Sequence, residues 1–367
     1  MKFVLGGFFC ALLAAQQPTF KSSTSLVEVD IIARDRDGRF VSGLTADDFE
    51  VLEEGKPQPI QHFYLVTEKA NLTVDPLSNV VLPRSPDRTD RRIIVFFFDS
   101  EHLSANGLLK LKRSAMDFVN DQLLPTDVAG VFINGTLVNG HLTNQKQELL
   151  DAIRAAEPAF ETTEARARAL LEFPRIESFL EASQIESGDR AALADAGARV
   201  CGGDEARLCA ADGGREFVED KLQRKARLFI DQSRRAASAT IREIGYVVRN
   251  LSGLEGRKTL VVLSDGFHVE DARSSLPLVA GQAARAGVTI YCVDTRGTGA
   301  QSGISPAADP AVKGAGLSGF GDTTDEGLDI LAAETGGMTV RHRDDLQRAL
   351  VDVATDTSTY YVLAYAP

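Results

Sequence analysis

The stretch IIVFFFDSEHLS, Ile93 to Ser104, passes from six consecutive apolar residues to an acid and then a polar turn. An apolar run without alternation reads as a strand covered on both faces, as in a parallel α/β sheet. The question it raises is whether Asp99 opens a site or caps the segment after the strand. The residues downstream keep the α/β texture. LLKLKRSAMDFVNDQL from Leu108 is an amphipathic helix, and VAGVFING with TLVNGHLT is a hairpin turning at Asn134-Gly135. KQELLDAIRAA is a second helix, KTLVVLSDG a second buried strand, SLPLVAGQAARAG a helix, VTIYCVDTRG a third strand and DEGLDILAAETGG a further helix. This alternation predicts a mostly parallel sheet with helices on both faces.

At 367 residues the chain exceeds what one compact core usually holds, so two domains are expected. From Ser25 to Val66 the pattern is β, with turns at Asp37-Gly38 and Glu54-Gly55. The domain reading is a signal peptide over 1–17, an N-terminal β module over 18–70 and a linker over 71–91. An α/β domain then spans 92–356 and a C-terminal strand 357–367. Residues 158–214 read as a helical insertion, and Glu216 to Leu251 as one long helix. The closing strand, Tyr360–Tyr365, either joins a sheet already made or pairs with chain beyond it.

MKFVLGGFFCALLAAQQ has the layout of a secretory signal, with a positive start, an apolar run and small residues. That run is about 10–12 residues, too short to span a bilayer core of about 30 Å. Secretion to an oxidising compartment, periplasmic or extracellular, makes a Cys201–Cys209 disulfide the expected state, with two thiols as the alternative. Cys292, inside TIYCVD, reads as a core residue. The net charge of −12 argues against nucleic acid as a partner, and the absence of Trp against a Trp-platform carbohydrate site.

Three apolar strands end in acids: Asp99, Asp265 and Asp294. In open α/β sheets ligands bind beyond the carboxyl ends of the strands. Helix capping is the alternative for each, and is preferred for Asp294.

FFFDSEHLS, the VAGVFING/TLVNGHLT hairpin and GRKTLVVLSDGF together resemble a von Willebrand factor A-type domain. The leading segment VEVDIIARDRDGRFVSGLTADDFEVLEEGKPQPIQHF and the late YYVLAY are similar to the secreted bacterial VWFA-related group. The resemblance implies a doubly wound Rossmann-like VWA domain that binds another protein and is not an enzyme. It also implies a metal-ion-dependent adhesion site for Mg2+ or Mn2+. Such a site takes D-x-S-x-S, a Thr from a middle loop and a later Asp. Asp99 matches the first Asp and Asp265 the last. Glu101 and Leu103 stand where the serines belong, with Ser100 and Ser104 each one residue off, so the metal set reads as Asp99, Ser100, Glu101, Ser104 and Asp265, a degenerate version. Thr162 and Thr163 are candidates for the middle Thr. Two further readings stay open. His102 and His268 each follow an acid by three residues and would give a metal-dependent hydrolase if they converged. Alternatively the domain is a metal-free structural scaffold, as Leu103 argues. GAGLSG, Gly314–Gly319, follows no apolar strand and is not read as a dinucleotide site.

Overall fold

The structure is a computed structural model that describes residues 26–35, 40–67, 72–75, 80–83, 91–157, 169, 172–177, 179–203, 206–267, 274–294, 325–340 and 346–366. The chain divides into two compact units, Met1–Pro83 with Tyr360–Pro367, and Arg84–Thr359.

The first unit is a five-stranded sheet built from β1 (Val27–Ile31), β4 (Ile60–Thr67), β5 (Leu72–Asp75), β6 (Val80–Pro83) and β13 (Thr359–Tyr365) in the order β1-β13-β4-β5-β6. A two-stranded ribbon, β2 (Val51–Glu53) with β3 (Lys56–Gln58), accompanies it. The ribbon turns at Glu54-Gly55, both at positive φ (48° and 78°), the type I′ geometry that matches strand twist. One expectation changes here, and one of two alternatives is selected. The stretch 71–91 is more than a linker, because β5 and β6 lie in it, paired Leu72↔Pro83 through Asp75↔Val80. The closing strand joins a sheet already made, antiparallel to β1 with Val27 opposite Tyr365. Phe63, Tyr361 and Leu363 are the buried centre of one face, where the Tyr361 ring stacks on Phe40 and Phe63. The Asp37-Gly38 turn lies outside the described residues.

The second unit carries β7 (Arg92–Phe98), β8 (Val128–Ile133), β9 (Thr136–Leu137), β10 (Arg257–Ser264), β11 (Val288–Asp294) and β12 (Thr339–Val340). Its sheet runs β12-β11-β10-β7-β8-β9, parallel throughout except for β9. Counted within the unit this is the order 6-5-4-1-2-3, the doubly wound Rossmann arrangement, with its switch point between β7 and β10. The helices are α1 (Ala105–Asp121), α2 (Lys146–Ala155), α3 (Phe179–Glu186), α4 (Arg190–Gly202), α5 (Ala206–Ala210), α6 (Gly214–Ser252), α7 (Leu276–Arg285), α8 (Asp325–Ala333) and α9 (Leu346–Ser358).

IIVFFF explains the layering. Ile94, Phe96 and Phe98 face one side and pack with α1, α2 and α9 through Leu111, Phe118, Leu149, Ile153 and Leu350. Ile93, Val95 and Phe97 face the other and pack with α6, α7 and α8 through Ile241, Ile244, Val248, Leu276 and Leu328. Burial on both faces removes the need for alternation, so the strand is apolar throughout. At its start, Arg92 is buried and ion-paired with buried Asp127, Nε to Oδ1 at 3.0 Å and Nη2 to Oδ2 at 2.5 Å. The same Asp127 accepts from Leu124 N–H, fixing the approach to β8.

The described part of the insertion forms its own small core. Ile176, Ala182, Ile185 and Ala196 pack on Val218, Leu222, Ala226 and Ile230 of α6. Cys201 and Cys209 are disulfide-bonded, joining the end of α4 to α5. The 39-residue α6 therefore has two apolar stripes, one for the insertion and one for the sheet.

Candidate functional site

β7 and β10 pair with Leu263 opposite Phe98, which sets Asp99 level with Ser264 just past the sheet. Ser264 is opposite Asp294 on β11, so three polar residues form one row at the carboxyl edge, with Asp265 one residue further out. This is the switch point, where sheet topology leaves room for a ligand.

Asp99 is 1% exposed. An isolated charge buried there would be costly, and three donors compensate it. Thr240 Oγ1–H donates to Oδ1 at 2.8 Å. Ser264 Oγ–H donates to Oδ2 at 2.7 Å, and His102 Nδ1 lies 2.9 Å from the same oxygen. Burial pushes the Asp99 carboxyl up, but the charge of His102 and the hydrogen bonds from His102, Ser264 and Thr240 outweigh it and hold it below its ordinary value. An ionised carboxylate only accepts, so His102 Nδ1 carries the proton and also faces Thr240 Oγ1 at 3.2 Å. The imidazole leans on buried Phe267, ring centroids 5.6 Å apart. Gly266 sits between Asp265 and Phe267 at φ 82°, where a side chain would be strained, and donates its N–H to Ser264 Oγ.

Asp265 acts differently. Its Oδ2 accepts the backbone N–H of Ser104 at 2.9 Å, while Ser104 Oγ accepts from Gly107 N–H as the N-cap of α1. Both groups satisfy the start of α1, which is the capping role. Ser100 and Glu101 occupy the half-buried turn. Leu103, in the place of the second serine, is 4% exposed and belongs to the α1-side core.

Two site residues escape a reading of the sequence. Thr240 supplies the middle hydroxyl, from inside α6 rather than from a loop at Thr162 or Thr163, which lie outside the described residues. Glu243, one turn on, is half-buried. Burial raises its carboxyl above the usual value, the charges of Asp99 and Glu101 add to that, and a bond from Gly135 N–H opposes it. The small-residue run AASAT, Ala236–Thr240, was the available signal, since small side chains let a helix approach a sheet closely. His268 lies outside the described residues, as do the signal segment and GAGLSG. Among the described residues no group of three or more His, Cys, Asp or Glu side chains is arranged to hold a metal ion. No described helix is long and apolar enough to cross a membrane.

The Mg2+ or Mn2+ set does not fit this arrangement. Both Asp99 oxygens are engaged by protein donors, Leu103 offers no lone pair, and the Ser104 oxygen is committed to the helix cap.

No protein-family model matches the chain, and neither does any curated protein. Among solved structures, conserved hypothetical protein BatB from Bacteroides thetaiotaomicron is similar over 72% of this chain and 98% of its own, at 13% identity and a TM-score of 0.37. An aerotolerance-related membrane protein from Bacteroides fragilis, carrying multiple mutations to serine, is similar over 73% of this chain and 97% of its own, at 11% identity and a TM-score of 0.36. The Rossmann-like assignment rests on the strand order and not on these likenesses.

Proposed function

We propose that the α/β unit is a non-enzymatic protein-binding module of the von Willebrand factor A type. It works outside the cytoplasm and presents the loops at the carboxyl edge of β7 and β10. One observation carries the choice between binding and catalysis. In an acyl-transfer relay, serine donates to histidine and histidine to aspartate, in series. Here Thr240, Ser264 and His102 all converge on Asp99 in parallel. The Ser264 proton points to the carboxylate rather than to the imidazole, so nothing in that contact activates the hydroxyl as a nucleophile. A hub of this kind fixes a loop rigidly, which suits recognition from a stable scaffold. The Cys201–Cys209 bond supports an oxidising compartment.

The test immobilises the mature chain and a Glu101→Arg variant and exposes both to proteins secreted by the source organism. A discrete protein held by the wild type and lost with Glu101→Arg supports the module. A panel of ester, phosphoester and peptide substrates runs in parallel. Turnover that disappears in His102→Ala overturns it in favour of a hydrolase.

A further inference from the structure

Three protein donors surround the Asp99 carboxylate where the resemblance would place a cation. We infer that these donors replace the ion, so that the strand-end site is built and functions without a divalent cation. The inference rests on reading the domain as a von Willebrand-type binding module and specifies how that module is held together.

An ionised carboxylate offers about four lone-pair positions. Thr240 takes one on Oδ1, and Ser264 and His102 take two on Oδ2. Mg2+ demands near-octahedral oxygen ligands at about 2.0–2.1 Å and keeps several waters. That leaves a cation one position, on Oδ1 beside the Thr240 hydroxyl, with the N–H of His102 already given to the other oxygen. The remaining positions do not compensate. Leu103 is in the core, Ser104 Oγ caps α1, and Asp265 is held by the Ser104 N–H. Beside His102 stands the buried ring of Phe267, an apolar wall where an ion's water shell would need polar partners. Four elements take up groups of the set, α6 and β10 at Asp99, the α1 cap at Ser104 and Asp265, and the core at Leu103, leaving Ser100 and Glu101 on the turn.

The donors come from three separated segments, His102 on the turn after β7, Thr240 on α6 and Ser264 at the end of β10. Joining separated segments is the structural task a bound cation performs. Here three hydrogen bonds to one buried charge perform it, and such charge-assisted bonds are about twice as strong as neutral ones.

The experiment is thermal unfolding of the full mature chain in EDTA and in millimolar Mg2+, Mn2+ or Zn2+, beside Asp99→Asn and Asp265→Asn. The expected wild-type midpoint is the same in all four conditions. His102→Ala and Thr240→Val are each expected to lower the midpoint by several degrees in EDTA. A cation-dependent rise in the wild type that is lost in Asp99→Asn overturns the inference. Where Asp99→Asn does not fold, loss of the rise in Asp265→Asn does the same. Unchanged midpoints in both donor variants also overturn it. No partner enters this measurement, so a cation response would leave the binding module standing. Partner capture repeated in EDTA reports on the module alone.

Discussion

At Asp99, one carboxylate reconciles burial with charge by collecting bonds from three chain segments. Asp99→Ala strands two buried hydroxyl donors, Thr240 and Ser264, and the part-buried N–H of His102. At the low end of the cost of an unsatisfied buried group, the loss is about 3–5 kcal/mol, measurable by urea unfolding. The pH dependence has a definite sign. In the unfolded chain an aspartate titrates near 3.9, and in the folded chain Asp99 is held lower. As pH falls the unfolded chain takes up the proton first. Stability from Asp99 is therefore complete above about pH 5 and is lost as pH drops through the folded value. Asp99→Asn should flatten the fall in urea midpoint below about pH 4. Gly266→Ala, at φ 82°, should cost about 1–2 kcal/mol and loosen the Ser264 contact. Asp99 and Asp265 were legible because apolar runs end at them. Thr240 was not, since it lies 141 residues from Asp99, inside a segment that reads only as one long helix.

Among the elements, β7 meets two different demands. Its middle is apolar on both faces, and its first residue is the buried Arg92 of the Asp127 pair. Removing one partner of a buried pair leaves an uncompensated charge, so Asp127→Ala should destabilise by about 3–5 kcal/mol. Replacing both partners, Arg92→Met with Asp127→Leu, should recover most of that loss, and a double-mutant cycle in urea measures the coupling. The insertion depends on its covalent link, because Ala182, Ala196, Val218 and Ala226 make up half of its buried core and leave that core thin. Cys201→Ser should cost about 2–3 kcal/mol for a loop this short. Hydrogen exchange should show the loss in α4 and α5 with β7 and β10 unchanged. The helical character of the insertion was legible from its Ala, Glu and Arg content. The two stripes of α6 were not separable in sequence, because Val218–Ile230 and Ala237–Leu251 run on as one amphipathic pattern.

For the whole molecule, the chain starts one sheet, builds a second unit and returns to finish the first. The Rossmann-like strand order was readable from the alternation of buried strands and helices. The return was not, because strand pairing between Val27 and Tyr365 leaves no local trace at either end. A chain ending at Thr359 loses the strand between β1 and β4. Limited proteolysis should then degrade the region before Pro83 while the strands β7, β8, β10 and β11 stay resistant. Retained protection of Val27–Thr67 would show that the first sheet holds without β13. The continuity of α6 has a mechanical consequence. At about 1.5 Å per residue, Gly214 lies about 39 Å along the helix from Thr240. A tilt of about 5° about the Asp99 contact would sweep that far end through about 3 Å, a displacement for paired spin labels on the insertion to read.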